Sequence, residues 1–465
     1  MALRFFNTYS RELEEFRPLD PNARDVKMYT CGPTVYSFAH IGNFRAYLFE
    51  DLLQRHLELR GYNVHRVMNL TDVDDKTIRG SREANLPLAK FTQQFKDAFF
   101  SDLDTLRIKR AHDYPAATEQ RYVDRMIGMI EQLIARDLAY QAEDKSVYYR
   151  IKNFPNYGHL AHFNLDELQS TGRVKNDEYE KENIGDFALW KAWDEADGDV
   201  RWESPWGPGR PGWHIECSAM STQLLGEQLD IHCGGVDNIF PHHEAEIAQT
   251  EGVTGKQFVR YWLHCAHLLV DGQKMSKSLG NFYTLRDVLA RGYTGREVRY
   301  ALLRVHYRAQ LNFTWEGMNE ARQSLGRIDD WLERLRAVAG GSASAGVTGT
   351  DFEDALDDDL NISAALGFLF ETIRDTNRSL DQSTLTPEEA RAWLDWWKRI
   401  DTVLALSGGE SEIPTEVSQL VEARTQARLA KDFRKSDELR DQIAALGWEV
   451  RDTKDGQKVT RRGGA

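Results

Sequence analysis

The chain has 465 residues, of which 41% are hydrophobic and 28% charged, which is too long for one compact core and predicts roughly two to four domains. This composition excludes fibrous and wholly disordered proteins. The formal net charge of −14 would repel a polyanion at long range, so any contact with nucleic acid requires a local basic face.

The N-terminal segment does not have the pattern of a secretion signal. Four charged residues fall between positions 11 and 15, and no uninterrupted apolar run approaches the ~18–20 residues that a membrane span requires. The cysteines are also unlike the disulfide framework of a small secreted protein, because the chain has only four, at scattered positions. We therefore expect a soluble, cytoplasmic protein that does not contact a membrane.

The first 70 residues predict a parallel-sheet unit. Residues 26–31 have the pattern of a strand, residues 39–60 that of an amphipathic helix, and residues 64–70 that of a second strand. In such a unit the ligand site lies beyond the carboxyl ends of the strands. We expect Cys31, the turn at Gly32 and Thr71 to meet in one crevice there.

The rest of the chain predicts an α/β protein: a Rossmann-type parallel-sheet domain with an insertion, then a helical region and a small α+β module. In that module we predict a helix over 421–446 and a hairpin of 448–451 with 457–460. Residues 421–465 hold 11 Lys and Arg against 8 Asp and Glu, a net of +3. The predicted division is 1–114 and 206–284 for the two halves of the parallel-sheet domain, 115–205 for the insertion, 285–338 and 351–407 for the helical parts, 339–350 for a linker and 412–465 for the module.

His40, Gly42 and Asn43 stand at the start of the first predicted crossover helix. A helix N-terminus offers free N–H groups and a partial positive charge, so a glycine flanked by polar donors can approach a triphosphate. A helix cap without any ligand would use the same residues.

Residues 274–281 form a second candidate phosphate site, with Lys274 and Lys277 in a loop that ends at Gly280. Mobile ammonium groups suit the negative charge that develops while pyrophosphate is displaced. A solvated surface loop would have the same composition.

His242 and Glu246 are four residues apart and would lie on one face of a helix, where both could bind one metal ion. An isolated pair with this spacing also occurs as ordinary surface pairing.

Together the two phosphate motifs resemble the HIGH and KMSKS signatures of class I aminoacyl-tRNA synthetases, with Asn43 in place of the last histidine of HIGH. More specifically, the chain resembles the cysteinyl-tRNA synthetase family over nearly its whole length. The segments that carry this likeness are 29–36, 69–76, 209–220, 240–246, 357–361 and the C-terminal hairpin.

The resemblance implies a cysteine–tRNA ligase that joins cysteine to ATP as cysteinyl-adenylate and transfers it to the 3′-terminal adenosine of tRNA(Cys). ATP would enter with Mg²⁺, and one Zn²⁺ would take the cysteine thiolate, because an apolar pocket alone discriminates sulfur from oxygen poorly. The helical region and the C-terminal module would bind tRNA, not DNA, with bases stacking on aromatic residues such as Trp448. We expect the enzyme to be a monomer.

The resemblance also assigns residues. It implies that the zinc ligands are Cys31, Cys217, His242 and Glu246. It implies that the phosphates and the transition state are held by His40, Asn43, Lys274 and Lys277, and that ATP is bound by Gly42, Asp237 and Lys277. The cysteine pocket would include Thr71, Trp213 and His232. If the resemblance is set aside, the alternative interpretation of Trp213 is a core aromatic residue, and that of Asp237 is a turn residue.

Three other functions stay open at this point. A ligase that joins activated cysteine to an amino sugar would share the catalytic core and the metal, although the long C-terminal part argues against it. A nucleotidyltransferase would lack the cysteine site. A catalytically silent RNA-binding paralogue would not need both phosphate motifs together with four ligands.

Overall fold

The computed structural model describes residues 2–163, 185–340, 350–408, 415–430, 432–446, 448–453 and 456–461. Among these residues no helix is both long and apolar enough to cross a membrane. The strands are β1 (Arg4–Asn7), β2 (Glu12–Glu15), β3 (Asp25–Thr30), β4 (Asn63–Met68), β5 (Ala139–Gln141), β6 (Val147–Tyr149), β7 (Phe187–Ala192), β8 (Gly209–Pro211), β9 (Leu229–Gly235), β10 (Val259–Cys265), β11 (Leu268–Val270), β12 (Gln273–Lys274), β13 (Leu311–Phe313), β14 (Trp448–Thr453) and β15 (Gly456–Arg461). The helices are α1 (Ile41–Leu59), α2 (Asp75–Glu83), α3 (Leu88–Thr105), α4 (Gln120–Ala135), α5 (Trp213–Leu225), α6 (Glu244–Thr254), α7 (Leu285–Ala290), α8 (Gly295–Leu303), α9 (Trp315–Val338), α10 (Asp351–Asp357), α11 (Ile362–Asp381), α12 (Pro387–Leu404), α13 (Thr415–Leu429) and α14 (Phe433–Ala445).

The centre of the chain is a four-stranded parallel sheet with the order β10-β9-β3-β4. The predicted strand, helix and strand are present as β3, α1 and β4, because each has a buried apolar pattern bounded by a turn. The sheet and the helices that follow it confirm the predicted α/β class. As expected for a parallel sheet, the carboxyl ends of β3 and β9 lie side by side.

Between the two halves of this sheet the chain forms a separate antiparallel sheet with the order β5-β6-β7-β8. Helix α2 is joined to it by Asp75, whose carboxylate pairs with Lys191, 2.9 Å away, and with Arg210. The first turn of α2 is therefore fixed between the parallel sheet and the insertion.

The helices between Leu285 and Leu404 share one apolar core with the parallel sheet. A joint of three consecutive aspartates connects the two parts. Asp357 accepts from His56 at 2.9 Å, Asp358 pairs with Arg4 at 2.7 Å, and Asp359 accepts from the N–H of Phe6 at 2.9 Å. Of the predicted linker, residues 341–349 lie outside the described residues.

The C-terminal module differs from the prediction in one respect. The single helix expected over 421–446 is wrong, because two helices, α13 and α14, occupy this stretch. Asp432 separates them: its carboxylate accepts from the N–H of Lys435 at 3.1 Å and so caps α14. The predicted hairpin is confirmed as β14 and β15, with Val450 opposite Val459. These elements have their own small core around Ile443 and Trp448.

Candidate functional site

Two loops cross closely at the carboxyl edge of the parallel sheet. The N–H of Gly32 donates to the Asn69 side chain at 2.9 Å, and the N–H of Val35 donates to the Thr71 carbonyl at 3.0 Å. A Cβ atom on Gly32 would lie 1.7 Å from the carbonyl oxygen of Asn69, so only glycine fits there. The structure thus brings Cys31, Gly32 and Thr71 together, as the strand order predicted.

A cluster of metal-ligating side chains lies at this crossing. Ligand atoms of Cys31, Cys217, His242 and Glu246 all lie within 4.8 Å of one another. Cys31 follows β3, Cys217 lies on α5, and His242 lies in the turn Ile239–His243 that leads into α6. Glu246 is in the first turn of α6, and its Oε1 lies 3.2 Å from His242 Nε2. Three distant parts of the chain thus supply the four residues.

A second set of ligating atoms overlaps the first. Cys31, Glu246, His232 and His243 also lie within 4.8 Å of one another. His243 Nε2 is 3.3 Å from Cys31 Sγ, and His232 Nε2 is 3.0 Å from Glu246 Oε2. Sequence reasoning missed His243, although its spacing of three residues from Glu246 also suits a shared helix face. Cys31 and Glu246 belong to both sets.

Burial of the cluster favours uncharged side chains when no cation is present. The hydrogen bond shared with Cys217, and then burial, raise the pKa of Cys31 well above its ordinary value. Burial raises the pKa of Cys217 and of Glu246 and lowers the pKa of His242 well below its ordinary value. A bound cation would reverse this preference for the thiols and the carboxylate.

These residues fit Zn²⁺ better than a hard cation. Thiolate sulfur, imidazole nitrogen and carboxylate oxygen are the ligands that zinc takes in proteins, whereas Mg²⁺ and Ca²⁺ take oxygen. Glu246 Oε1 is buried and makes no hydrogen bond within the described residues. A buried carboxylate oxygen without a donor is what a metal ligand requires.

Further histidines surround the cluster and orient it. His243 Nδ1 lies 2.8 Å from His264 Nε2, and His264 Nδ1 lies 2.8 Å from the hydroxyl of Thr8. His242 Nδ1 lies 3.0 Å from His214 Nδ1. Such outer contacts fix the ring orientation and tautomer of ligating histidines. No sequence motif pointed to His214, His264 or Thr8.

The predicted cysteine-pocket residues border the cluster. The ring of Trp213 stacks on His242 at a centroid distance of 4.2 Å and is 43% exposed, so it is not a core aromatic. Thr71 donates its hydroxyl to Glu216 at 2.7 Å. Burial raises the pKa of Glu216 well above its ordinary value. Trp213 thus places an exposed ring against the cluster, whereas the Thr71 hydroxyl is buried and bonded to Glu216, the sequence neighbour of Cys217.

At the first phosphate motif, His40 and Asn43 cap helix α1. Asn43 donates its N–H to His40 Nδ1, and His40 donates its N–H to Asn43 Oδ1, both at 3.1 Å. A Cβ on Gly42 would lie 3.0 Å from the His40 ring and 3.2 Å from Met275, so the second motif touches the first. The capping role is therefore real, and phosphate binding stays a prediction.

The other predicted ATP residues lie on exposed loops. Lys274 is exposed at the end of β12, and Asp237 is exposed just after β9. Ser276 donates its N–H to Asn281 Oδ1 at 2.7 Å, which closes the lysine loop. Lys277 begins a short 3-10 turn, Lys277–Leu279, and its side chain lies outside the described part of the structure.

Three family models match the chain. Residues 16–323 match "tRNA synthetases class I (C) catalytic domain", residues 351–406 match "DALR domain", and residues 410–459 match "Cysteinyl-tRNA ligase anticodon binding domain".

Curated relatives match over almost the full length. A cysteine–tRNA ligase of Chlamydia muridarum is 52% identical, with 99% of this chain and 100% of the relative covered. One of Protochlamydia amoebophila is 48% identical, with 99% and 98% covered.

Solved structures show the same fold at low identity. A methionyl-tRNA synthetase of Mycobacterium tuberculosis in complex with methionyl-adenylate has a TM-score of 0.59 at 16% identity, covering 82% of this chain and 88% of that one. The LeuRS of Agrobacterium radiobacter in a ternary complex with tRNA has a TM-score of 0.59 at 12% identity, covering 85% and 87%.

Proposed function

Because the chain belongs to the cysteine–tRNA ligase family of class I tRNA synthetases, we propose that it activates cysteine on ATP and transfers it to the 3′-terminal adenosine of tRNA(Cys), with zinc selecting the amino acid. The observation that carries the zinc part is the cluster of Cys31, Cys217, His242 and Glu246 at the carboxyl edge of the sheet.

We assign the ion to these four residues and give His232 and His243 the task of orienting Cys31 and Glu246. Zinc bound there would supply a thiol-seeking contact that a serine hydroxyl satisfies far less well. His232 holds the Glu246 oxygen Oε2 at 3.0 Å, which leaves Oε1 for the ion. Thr71 and the exposed ring of Trp213 would then contact the rest of the bound cysteine.

Adenylate formation needs positioning and charge neutralisation rather than a protein nucleophile. The cysteine carboxylate attacks the α-phosphorus of ATP, and pyrophosphate leaves. His40 and Asn43 fix the first turn of α1, whose free N–H groups face anions favourably. Lys274 and Lys277 would neutralise the leaving pyrophosphate, and Asp237 would bind the ATP ribose.

The helical region and the C-terminal module would bind tRNA. The match to an anticodon-binding domain at residues 410–459 supports this role. The net charge of +3 over 421–465, against −14 for the chain, gives this end the local basic character that a polyanion requires. An amino-sugar acceptor would not need such a module.

The test is ATP–pyrophosphate exchange measured with each of the twenty amino acids in turn. The metal content of the same sample is determined by elemental analysis. We expect exchange with cysteine only and one zinc per chain. Charging of tRNA against charging of an amino sugar decides the acceptor. Metal-free protein that still prefers cysteine over serine would contradict the zinc assignment, and zinc-loaded protein without exchange would identify a silent paralogue.

A further inference from the structure

A groove of about 430 Å³ lies beside the crossed loops and is lined by none of the residues proposed above to bind the metal, cysteine or ATP. We call it the α2–α3 groove. Its volume is within the ~300–1,000 Å³ that is typical of ligand pockets. It is bounded by the loop before α1 and by the hairpin of α2 and α3, and it is lined by Tyr36, Ser37, Lys76, Arg79, Gly80, Glu83, Ala84, Phe91 and Phe95.

Two cations stand on the α2 side of the groove. Lys76 and Arg79 are both exposed, and within the described residues neither is in an ion pair. Lys76 Nζ lies 5.2 Å from the centre of the Tyr36 ring. Glu83, one turn beyond Arg79, is the only carboxylate among the lining residues. The groove therefore has a net positive lining in an acidic protein.

The floor of the groove is aromatic and tightly built. A Cβ atom on Gly80 would lie 2.5 Å from the Phe91 ring, so α2 and α3 touch at this glycine. Phe91 packs edge-on against Phe95 at 5.2 Å, and Phe95 packs edge-on against Phe38 at 5.4 Å. Phe38 is 42% exposed beside the groove, and the Arg286 guanidinium lies 4.2 Å from the centre of its ring.

The groove adjoins the site because it shares the same loop. Tyr36 lies between Cys31 and His40, in a segment that Val35 ties to Thr71. Asp75 of α2 pairs with Lys191 and Arg210 of the antiparallel sheet β5-β6-β7-β8. The wall formed by the loop before α1 is thus attached to the parallel-sheet domain, and the wall formed by α2 is attached to the antiparallel sheet.

We propose that the α2–α3 groove binds the unpaired 3′ end of the tRNA on its way to the adenylate; this inference rests on the proposed function. Cations beside exposed aromatic rings are the pattern that binds single-stranded nucleic acid, with ammonium or guanidinium groups on phosphates and rings under bases. Lys76 and Arg79 contact the phosphates, and the ring of Tyr36 stacks on a base.

The test variant is Lys76→Ala combined with Arg79→Ala. Its matched control is Lys90→Ala, which removes the same kind of charge from exposed α3 surface outside the groove. We expect the double variant to raise the KM for tRNA and its Kd about tenfold, and to reduce the salt dependence of log Kd by about 1.4, since each single-strand phosphate contact contributes ~0.7. Lys90→Ala should match the wild type.

Truncated tRNA locates the contact. With a tRNA(Cys) transcript that lacks its unpaired 3′ nucleotides, the double variant and the wild type should bind with equal Kd. Equal weakening with both transcripts would place the cations on another part of the tRNA and overturn the proposal, as would an unchanged KM. A raised KM for ATP in tRNA-free pyrophosphate exchange would assign the groove to ATP instead.

Variants of Tyr36 test the stacking contact independently. Tyr36→Ala should raise the Kd for full-length tRNA about fivefold or more, because stacking contributes ~1–3 kcal/mol per base, whereas Tyr36→Phe should stay near the wild type. Equal weakening by both would refute stacking. Failure of the wild type to charge any tRNA would refute the proposed function itself, whereas wild-type charging with unaffected variants refutes only the groove.

Discussion

Replacement of Gly32 by alanine tests whether the two loops beside the cluster of metal-ligating side chains cross as the structure shows. The new Cβ would lie 1.7 Å from the carbonyl oxygen of Asn69, whereas real Cβ contacts stay beyond 3.0 Å. The two loops must therefore separate by at least about 1.3 Å. Neither atom can rotate away, because the Cβ is bonded directly to the Cα of residue 32 and the Asn69 oxygen belongs to the backbone.

The separation would break a short chain of hydrogen bonds. Gly32 donates to Asn69, Asn69 donates to the Thr71 hydroxyl at 3.2 Å, and Thr71 donates to Glu216 at 2.7 Å. Overpacking of this kind costs about 3 kcal/mol. For a cooperative unit of about 400 residues, with an unfolding entropy of ~2.1 cal/mol/K per residue, this lowers Tm by roughly 3–4 °C. Misplacement of reacting groups by ~1 Å can cost ~10²-fold in rate.

Thermal unfolding and tRNA-free pyrophosphate exchange measure both effects. The matched control is Gly128→Ala in helix α4, where a Cβ meets nothing within 4 Å. That change should stabilise the protein by up to about 1 kcal/mol through helix propensity and leave exchange unaltered. A Gly32→Ala protein with wild-type Tm and wild-type exchange would show that the loops are not in contact, and the reasoning would fail.

Three further predictions concern the metal, the joint and the lysine loop. Cys217→Ser should lower zinc affinity by more than ~100-fold, since even outer-shell changes cost ~10–100-fold; retention of a full zinc equivalent on dialysis against a chelator would remove Cys217 from the ligand set. Burial outweighs the attraction of Asp357 and lowers the pKa of His56, so just below pH ~6.5 the unfolded chain binds this proton more readily than the folded chain, and stability falls as the pH falls. In His56→Gln the free energy of unfolding should depend on pH less steeply in this range, by up to ~1.4 kcal/mol per pH unit, measured by denaturant titration; an unchanged slope would mean that His56 titrates normally. Lys277→Ala should slow pyrophosphate exchange by ~10²–10³-fold with zinc content and Tm unchanged, and a wild-type rate would exclude it from the chemistry.

The first parallel unit could be predicted from the sequence because its signals are local. The predicted ranges 26–31, 39–60 and 64–70 compare with strands and a helix at Asp25–Thr30, Ile41–Leu59 and Asn63–Met68. Each element has an apolar pattern of its own period and ends at a turn or cap.

The C-terminal helix was mispredicted because its break contains neither proline nor glycine. Asp432 could have indicated it, as an N-cap residue before an apolar Phe433.

The candidate site was only partly accessible from the sequence. The pair of His242 and Glu246 follows from helix periodicity, but Cys31 and Cys217 are brought together only by the order of the strands and helices. His264 lies on β10, where nearly every residue is buried and no regular alternation of apolar and polar residues marks a site. Contacts of this kind depend on strand register, which one sequence does not encode locally.

The separation of the apolar clusters has a consequence for how the molecule comes apart. The helices up to residue 404 share their interior with the parallel sheet and are clamped to it by the three aspartates, so these parts melt as one cooperative unit. Within the described residues, the last two helices and the hairpin bury their apolar side chains only against one another. On heating we therefore expect two transitions: the smaller unit, with a core of a few side chains, unfolds first and leaves the cluster of Cys31, Cys217, His242 and Glu246 intact.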